Sequence, residues 1–152
     1  MRRIVVDDLS GPADARFLQE HIDSMRAVSP PESMHALDLA GLRRPEITFW
    51  SMWDGDDLVG CAALKELDPT HAEIKSMRTA PDRTRQGLAS TLLSHVVTEA
   101  RRRGYTRLSL ETGSFPFFAA ARALYERWGF EYCPPFADYR LDSHSVYMTR
   151  AL

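Results

Sequence analysis

EIKSMRTAPDRTRQGLASTLL, residues 73–93, reads as a strand, a short turn and the opening of a helix. Met77, Arg78 and Thr79 end the strand, and Ala80-Pro81-Asp82 breaks it, because proline cannot donate to a ladder. Beyond the turn, Leu88, Leu92 and Val96 recur every four residues, with Ala89, Leu93, Val97 and Ala100 beside them on one apolar stripe. The first turn of such a helix has N–H groups without partners, at the positive end of the dipole. Gly87 and Ala89 let a ligand's phosphates approach that backbone, and Arg83 and Arg85 add positive charge. The turn is therefore read as an anion cradle, best suited to a pyrophosphate.

The kind of cradle is narrowed by its residues. A Walker loop needs Gly-Lys-Ser/Thr, and Leu88 follows Gly87; a dinucleotide fingerprint needs three spaced glycines, and one is present. What remains is R/Q-x-x-G-x-G/A after a strand, here Thr84-Arg85-Gln86-Gly87-Leu88-Ala89. On these residues the chain resembles the GNAT superfamily of N-acetyltransferases, in its small-molecule branch. Glu73 lies fourteen positions before Gly87, like the strand glutamate of the histone-acetylating branch. Ala123-Leu124-Tyr125-Glu126-Arg127-Trp128-Gly129-Phe130 is similar to the late L-Y-x-x-x-G-F signature. The resemblance spans roughly Leu58 to Phe130. Thr84 stands where the family prefers arginine or glutamine, and Phe118 where many members carry an asparagine against the pantetheine arm.

The resemblance implies an α+β (α/β) fold, with a twisted, mostly antiparallel sheet between helices and a splayed central strand pair near Met77 to Thr79. It implies acetyl-coenzyme A as acyl donor, held by Met77, Arg78 and Thr79 on the strand and by Thr84, Arg85, Gln86, Gly87, Leu88, Ala89 and Ser90 on the turn. A homodimer is compatible with it.

Composition sets the frame. The chain has 152 residues, enough for one domain spanning 1–152, and 44% of them are hydrophobic, so a packed core is expected. A formal net charge of -2 argues against nucleic acid as the main partner. Arg101-Arg102-Arg103 precedes Gly104 at a helix end, where cations suit the dipole. Cys61 and Cys133 suggest no disulfide framework, and the N-terminal MRRIVVDDLS is too short in apolar residues for a signal peptide. No stretch approaches a membrane span, so a cytoplasmic protein with no membrane partner is expected.

In order, Ile4-Val5-Val6 reads as a strand, and Gly11-Pro12 opens a helix that Ser29-Pro30-Pro31 stops. Residues 33–39 read as a second, short helix, and the resemblance places this pair over the acceptor side, with His35 a candidate contact. Two hairpins follow, Ile47–Trp53 with Leu58–Leu67, then the Glu73 strand; Trp50 and Trp53 read as core. Arg107–Glu111 is a strand, Phe117–Trp128 a helix, and two closing strands, Phe130–Cys133 and Ser145–Ala151, flank the irregular run Pro134–Arg140, within a segment PFADYRLDSHSVY read as lining the acceptor pocket. Its Asp138, Tyr139 and Ser143 are candidate acceptor contacts.

Acyl transfer to an amine needs a base, and strand alternation puts Glu73, Lys75 and Met77 on one face. Glu73 is the candidate base, and Lys75 holds it ionised or binds an acidic substrate. Tyr125 is the candidate acid for the departing thiolate, a role the resemblance implies. No H-x-x-x-H, C-x-x-C or G-x-S-x-G occurs, so no metal site and no acyl-enzyme are expected. The reading is direct transfer of acetyl to a small or amino-acid-like primary amine in a ternary complex. Two alternatives stay open: a regulatory module that binds acyl-coenzyme A without turnover, and a protein lysine or N-terminal acetyltransferase.

Overall fold

Strand-forming runs separated by Gly, Pro and Asp turns build the central sheet of the molecule. The computed structural model describes residues 2–28, 30, 39–80 and 87–152. In chain order these form β1 (Arg2–Val6), α1 (Pro12–Arg26), α2 (Leu39–Leu42), β2 (Ile47–Asp54), β3 (Asp57–Asp68), β4 (His71–Thr79), α3 (Leu88–Arg102), β5 (Arg107–Gly113), α4 (Ala119–Arg127), β6 (Glu131–Cys133) and β7 (Ser145–Ala151). The strands form one sheet in the order β1-β2-β3-β4-β5-β7-β6. Every described pairing is antiparallel except β4 with β5, which α3 bridges.

Short turns set the hairpins. Gly55 takes a positive φ of 61° between β2 and β3. Between β3 and β4, the Asp68 carboxylate accepts from the Thr70 amide at 2.8 Å and its hydroxyl at 2.9 Å.

Each sheet face carries its own apolar layer. Leu92, Leu93, Val96 and Val97 of α3, with Leu124 of α4, pack on Trp50, Leu64, Ile74, Leu108 and Leu110. On the other face Phe17 and Leu18 of α1 and Leu42 of α2 pack on Phe49, Cys61 and Ala63. Helix α3 lies close to the sheet because residue 60 is glycine: a Cβ there would sit 2.8 Å from Leu92 Cδ1.

The arginine run closes α3. Gly104 adopts a φ of 90°, and Tyr105 N–H reaches back to the Ala100 carbonyl. Arg102 pairs with Glu99 at 2.6 Å, and Arg103 donates to Thr48 Oγ1 at 2.7 Å. Both cysteines are free thiols. No described helix is long and apolar enough to cross a membrane.

Some boundaries move. Helix α1 ends at Arg26, before the expected stop at Ser29. The expected helix at 33–39 falls almost entirely outside the described residues, and a single helical turn occupies Leu39–Leu42. The helix expected from Phe117 opens as a 3-10 turn, Pro116–Phe118, and becomes α-helical at Ala119.

Candidate active site

Strands β4 and β5 pair from His71 with Arg107 to Ile74 with Leu110, and no further. The seam therefore opens at Lys75, two residues earlier than the Met77–Thr79 expected from sequence. The cause is a β-bulge. Ala63 pairs with Lys75 and Cys61 with Arg78, so Ser76 and Met77 share the place opposite Ala62. Ser76 sits at a φ of 53°, and its carbonyl accepts from Cys61 Sγ at 3.0 Å. Such a bulge adds local twist and turns the strand away from its neighbour.

The bulge also corrects the expected alternation. Met77 packs against the α3–α4 core, not beside Glu73 and Lys75. Arg78 takes that face instead: it donates to the Phe17 carbonyl at 2.9 Å and lies 4.9 Å from the Phe17 ring centroid. Its side chain thus ties β4 to α1, which leaves the backbone of Met77–Thr79 to meet a ligand.

At the head of α3, the N-cap residue Gly87 has a φ of 73°, and no described side chain caps the helix. Among the described residues, a Cβ on Gly87 would meet nothing within 4 Å. The Leu88 side chain is buried and Ala89 packs against the core, so their backbone amides remain for an anion. Ser90 is half-buried in the same first turn. Thr84, Arg85 and Gln86 lie outside the described residues, as does His35. Open space, uncapped amides and an unpaired strand edge together fit a donor with a pyrophosphate and an extended arm.

The signature around Tyr125 is a helix stop in physical terms. Gly129, at a φ of 85°, donates to the Glu126 carbonyl, and Phe130 N–H donates to the Tyr125 carbonyl. The Phe130 ring meets the Tyr125 ring edge-on at 5.7 Å. Tyr125 is thereby pinned at the seam, and its hydroxyl has no hydrogen-bond partner among the described residues. Burial, reinforced by the Glu111 carboxylate, pushes that phenol well above its ordinary range.

On the opposite face of the sheet, Glu73 is 2% exposed. Its Oε2 accepts from Tyr139 Oη at 2.6 Å and from Lys75 Nζ at 3.2 Å, and Lys75 also donates to Tyr139 at 2.9 Å. Three expected site residues thus form one closed cluster. The turn that delivers Tyr139 has Ala137 at a φ of 50° and Tyr139 N–H on the Phe136 carbonyl. The Tyr139 ring packs between Phe136 and Tyr147.

Two hollows meet here. A cavity of about 130 Å³ runs through the seam, lined by Glu73, Lys75, Glu111, Phe118, Tyr125 and Tyr139 among others. Phe118 sits over Gly113, where a Cβ would collide with its ring. A wider cleft of about 690 Å³ opens outward between Lys65 and the segment 137–144, and Asp138 and Ser143 line it. Asp138 and Ser143 are exposed there, with Ser143 held by its carbonyl, which accepts from Ser114 Oγ at 2.9 Å.

Sequence reasoning missed three titratable lining groups, His21, Glu111 and His144. Glu111 sits at the end of an apolar strand, and burial raises its carboxyl to about 7. His21 falls four residues after Phe17 on the apolar stripe of α1, and burial with Arg78 nearby lowers it to about 4, so it is neutral at pH 7. A charge closing a buried strand and a histidine on a core stripe were the available signals.

The sequence pattern of the Acetyltransferase (GNAT) family matches residues 15–130. The chain belongs to the GNAT acetyltransferase family. It is therefore an acyltransferase, and its mixed sheet with flanking helices is the GNAT fold. The "Uncharacterized N-acetyltransferase YsnE" of Bacillus subtilis is 58% identical over 98% of this chain and 99% of that protein. The "IAA acetyltransferase" of Azospirillum brasilense is 35% identical over 81% of this chain and 80% of its own length. A GNAT acetyltransferase from Elizabethkingia anophelis, solved with acetyl-CoA bound, superposes with a TM-score of 0.68 at 19% identity, covering 99% of this chain and 98% of the other.

Proposed function

We propose that this GNAT protein moves an acetyl group from acetyl-coenzyme A to the primary amine of a small or amino-acid-like acceptor, directly, in a ternary complex. The observation that carries the reading is the seam itself. Its cavity brings Tyr125 and Met77, packed on the α3 face of the sheet, together with the Glu73 and Glu111 carboxylates. The relative named for IAA supports an acceptor that is a small molecule, and the neighbour solved with acetyl-CoA supports the donor.

When bound, acetyl-coenzyme A supplies an acetyl thioester, whose C–S bond breaks as a C–N bond forms. The chain's own groups do the rest. Amides of Gly87, Leu88, Ala89 and Ser90, with Thr84, Arg85 and Gln86 before them, take the pyrophosphate. The free edge of Met77, Arg78 and Thr79 pairs with the extended arm as an added strand would, and an amide there polarises the carbonyl. The acceptor enters by the outer cleft, past Lys75, Asp138, Tyr139 and Ser143, with His35 a further contact. A carboxylate at the seam, from Glu73 or Glu111, takes the ammonium proton, and Tyr125 donates to the departing sulfur.

The test is thiol release from acetyl-coenzyme A across a panel of amines and amino acids. Saturable release with at least one acceptor is the expected result. Donor binding without release for any amine would leave a binding module in place of an enzyme. With an acceptor found, Asp138→Ala is expected to raise its KM several-fold and leave the donor Kd unchanged. Asp138 lies on the outer cleft, away from the head of α3. Equal effects on donor and acceptor would assign it to loop structure.

A further inference from the structure

Two carboxylates line the seam cavity, and their surroundings differ. Glu73 is committed: Lys75 and Tyr139 both donate to its Oε2. Glu111 carries no comparable clamp. It is the first β5 residue past the last β4–β5 pair, Ile74 with Leu110. It lines the seam cavity together with Tyr125, which reaches that cavity from the opposite sheet face. On its β7 side it stands opposite Tyr147.

We propose that Glu111 is the general base of the transfer, and that Glu73 is a positioning residue that holds Lys75 and Tyr139 against the acceptor. This assignment rests on the acetyl-transfer reading above. In the step, an N–H bond of the acceptor ammonium breaks, its electron pair stays on nitrogen, and an O–H bond forms on Glu111. The proton leaves Glu111 for solvent only after the thiol has departed. A base serves best when it titrates near the operating pH, and Glu111 is raised to about 7 by burial. The Ser145 hydroxyl of β7 and the Lys75 charge oppose that rise, while Glu73 of β4 and Asp142 of the 137–144 segment add to it. Tyr125 of α4, Tyr139 of the loop and Tyr147 of β7 face it as neutral phenols, and His21 of α1 and His144 line the same cavity.

The placement couples the two ends of the reaction. The ionised Glu111 makes Tyr125 a weaker acid. Once Glu111 carries the acceptor's proton, that opposition disappears, and Tyr125 gives its proton to the leaving thiolate more readily. The second nitrogen proton, lost as the amide forms, returns through water to the tyrosine oxygen.

The experiment compares wild type, Glu111→Gln and Glu73→Gln in kcat/KM for the acceptor, against pH, at saturating acetyl-coenzyme A. Wild type is expected to gain activity as pH rises through about 7, since below it the carboxyl is protonated and accepts nothing. Glu111→Gln is expected to lose about 100- to 10,000-fold and the acid limb with it. Glu73→Gln is expected to raise KM and keep the limb, moved to lower pH because a charge that opposed ionisation of Glu111 is gone. Glu111→Gln within about threefold of wild type, with its limb intact, overturns the assignment while leaving acetyl transfer standing. Wild type silent with every amine overturns the acetyl-transfer reading and the assignment together. A readout that needs no acceptor is the carboxyl carbon-13 resonance of Glu111, identified by its absence in Glu111→Gln. Titration near 7 supports the assignment, and titration below about 5, the ordinary glutamate range, overturns it.

Discussion

Tyr125→Phe is expected to lower turnover about 100- to 10,000-fold, the range for one acid–base group, while the thermal melt stays unchanged. The two halves of that expectation have separate physical grounds. Phenylalanine keeps the ring, so the edge-on contact with Phe130 and the burial beneath α4 survive. The backbone bond from Phe130 N–H to the Tyr125 carbonyl does not involve the side chain and also survives. The hydroxyl that is lost has no hydrogen-bond partner among the described residues, so its removal strands no buried group. The hydroxyl lines the seam cavity, so its loss changes no packed contact and the variant melts as the wild type does. What the variant lacks is a proton to place on the leaving thiolate. The assay is steady-state thiol release, with donor affinity measured alongside. Turnover within about threefold of wild type would return Tyr125 to a packing role, with solvent protonating the sulfur.

Gly87→Glu is expected to weaken acetyl-coenzyme A binding by about 100-fold or more while the circular dichroism spectrum stays native. Gly87 adopts a φ of 73°, a conformation an L side chain enters only with strain. Among the described residues, a Cβ there meets nothing within 4 Å, so the side chain projects into the space an anion would use. Its carboxylate would compete for the free amides at the positive end of α3 and repel a phosphate. Loss of two charge-assisted hydrogen bonds at about 1.5–3 kcal/mol each accounts for the size of the drop. Gly87→Ala separates strain from charge: it carries the same φ penalty without the carboxylate, and its expected loss is smaller. Calorimetry reads both. Undiminished affinity in Gly87→Glu would remove the head of α3 from donor binding.

Local chemistry is what the sequence by itself determined. The proline at 81, the glycine at 87 and the apolar stripe from Leu88 to Ala100 mark a strand, a turn and a helix, because each acts through its own backbone or its immediate neighbours. The L-Y-x-x-x-G-F run placed Tyr125 for the same reason: a glycine at C′ and an apolar residue after it form a helix stop with a local geometry. Family membership was legible from these two segments alone. The irregular segment between β6 and β7 was legible too, since its prolines and polar residues disfavour a strand interior.

What the tertiary structure decided depends on pairings distant in sequence. The seam opens at Lys75 because Cys61 and Ala63, on another strand, pair with Arg78 and Lys75 and leave a bulge between them. Alternation along β4 could not anticipate it, and so Met77 exchanged faces with Arg78. Lys75 beside Glu73 was visible as a spacing of two, whereas Tyr139, more than sixty residues on, closes that cluster only through the fold. Glu111 offered one acidic residue at a strand end. Its burial, its place just past the last β4–β5 pair and its approach to Tyr125 come from strands and a helix converging on one cavity. A side chain's local spacing fixes the face it takes while its strand stays regular; the charge it holds is fixed by everything packed around it.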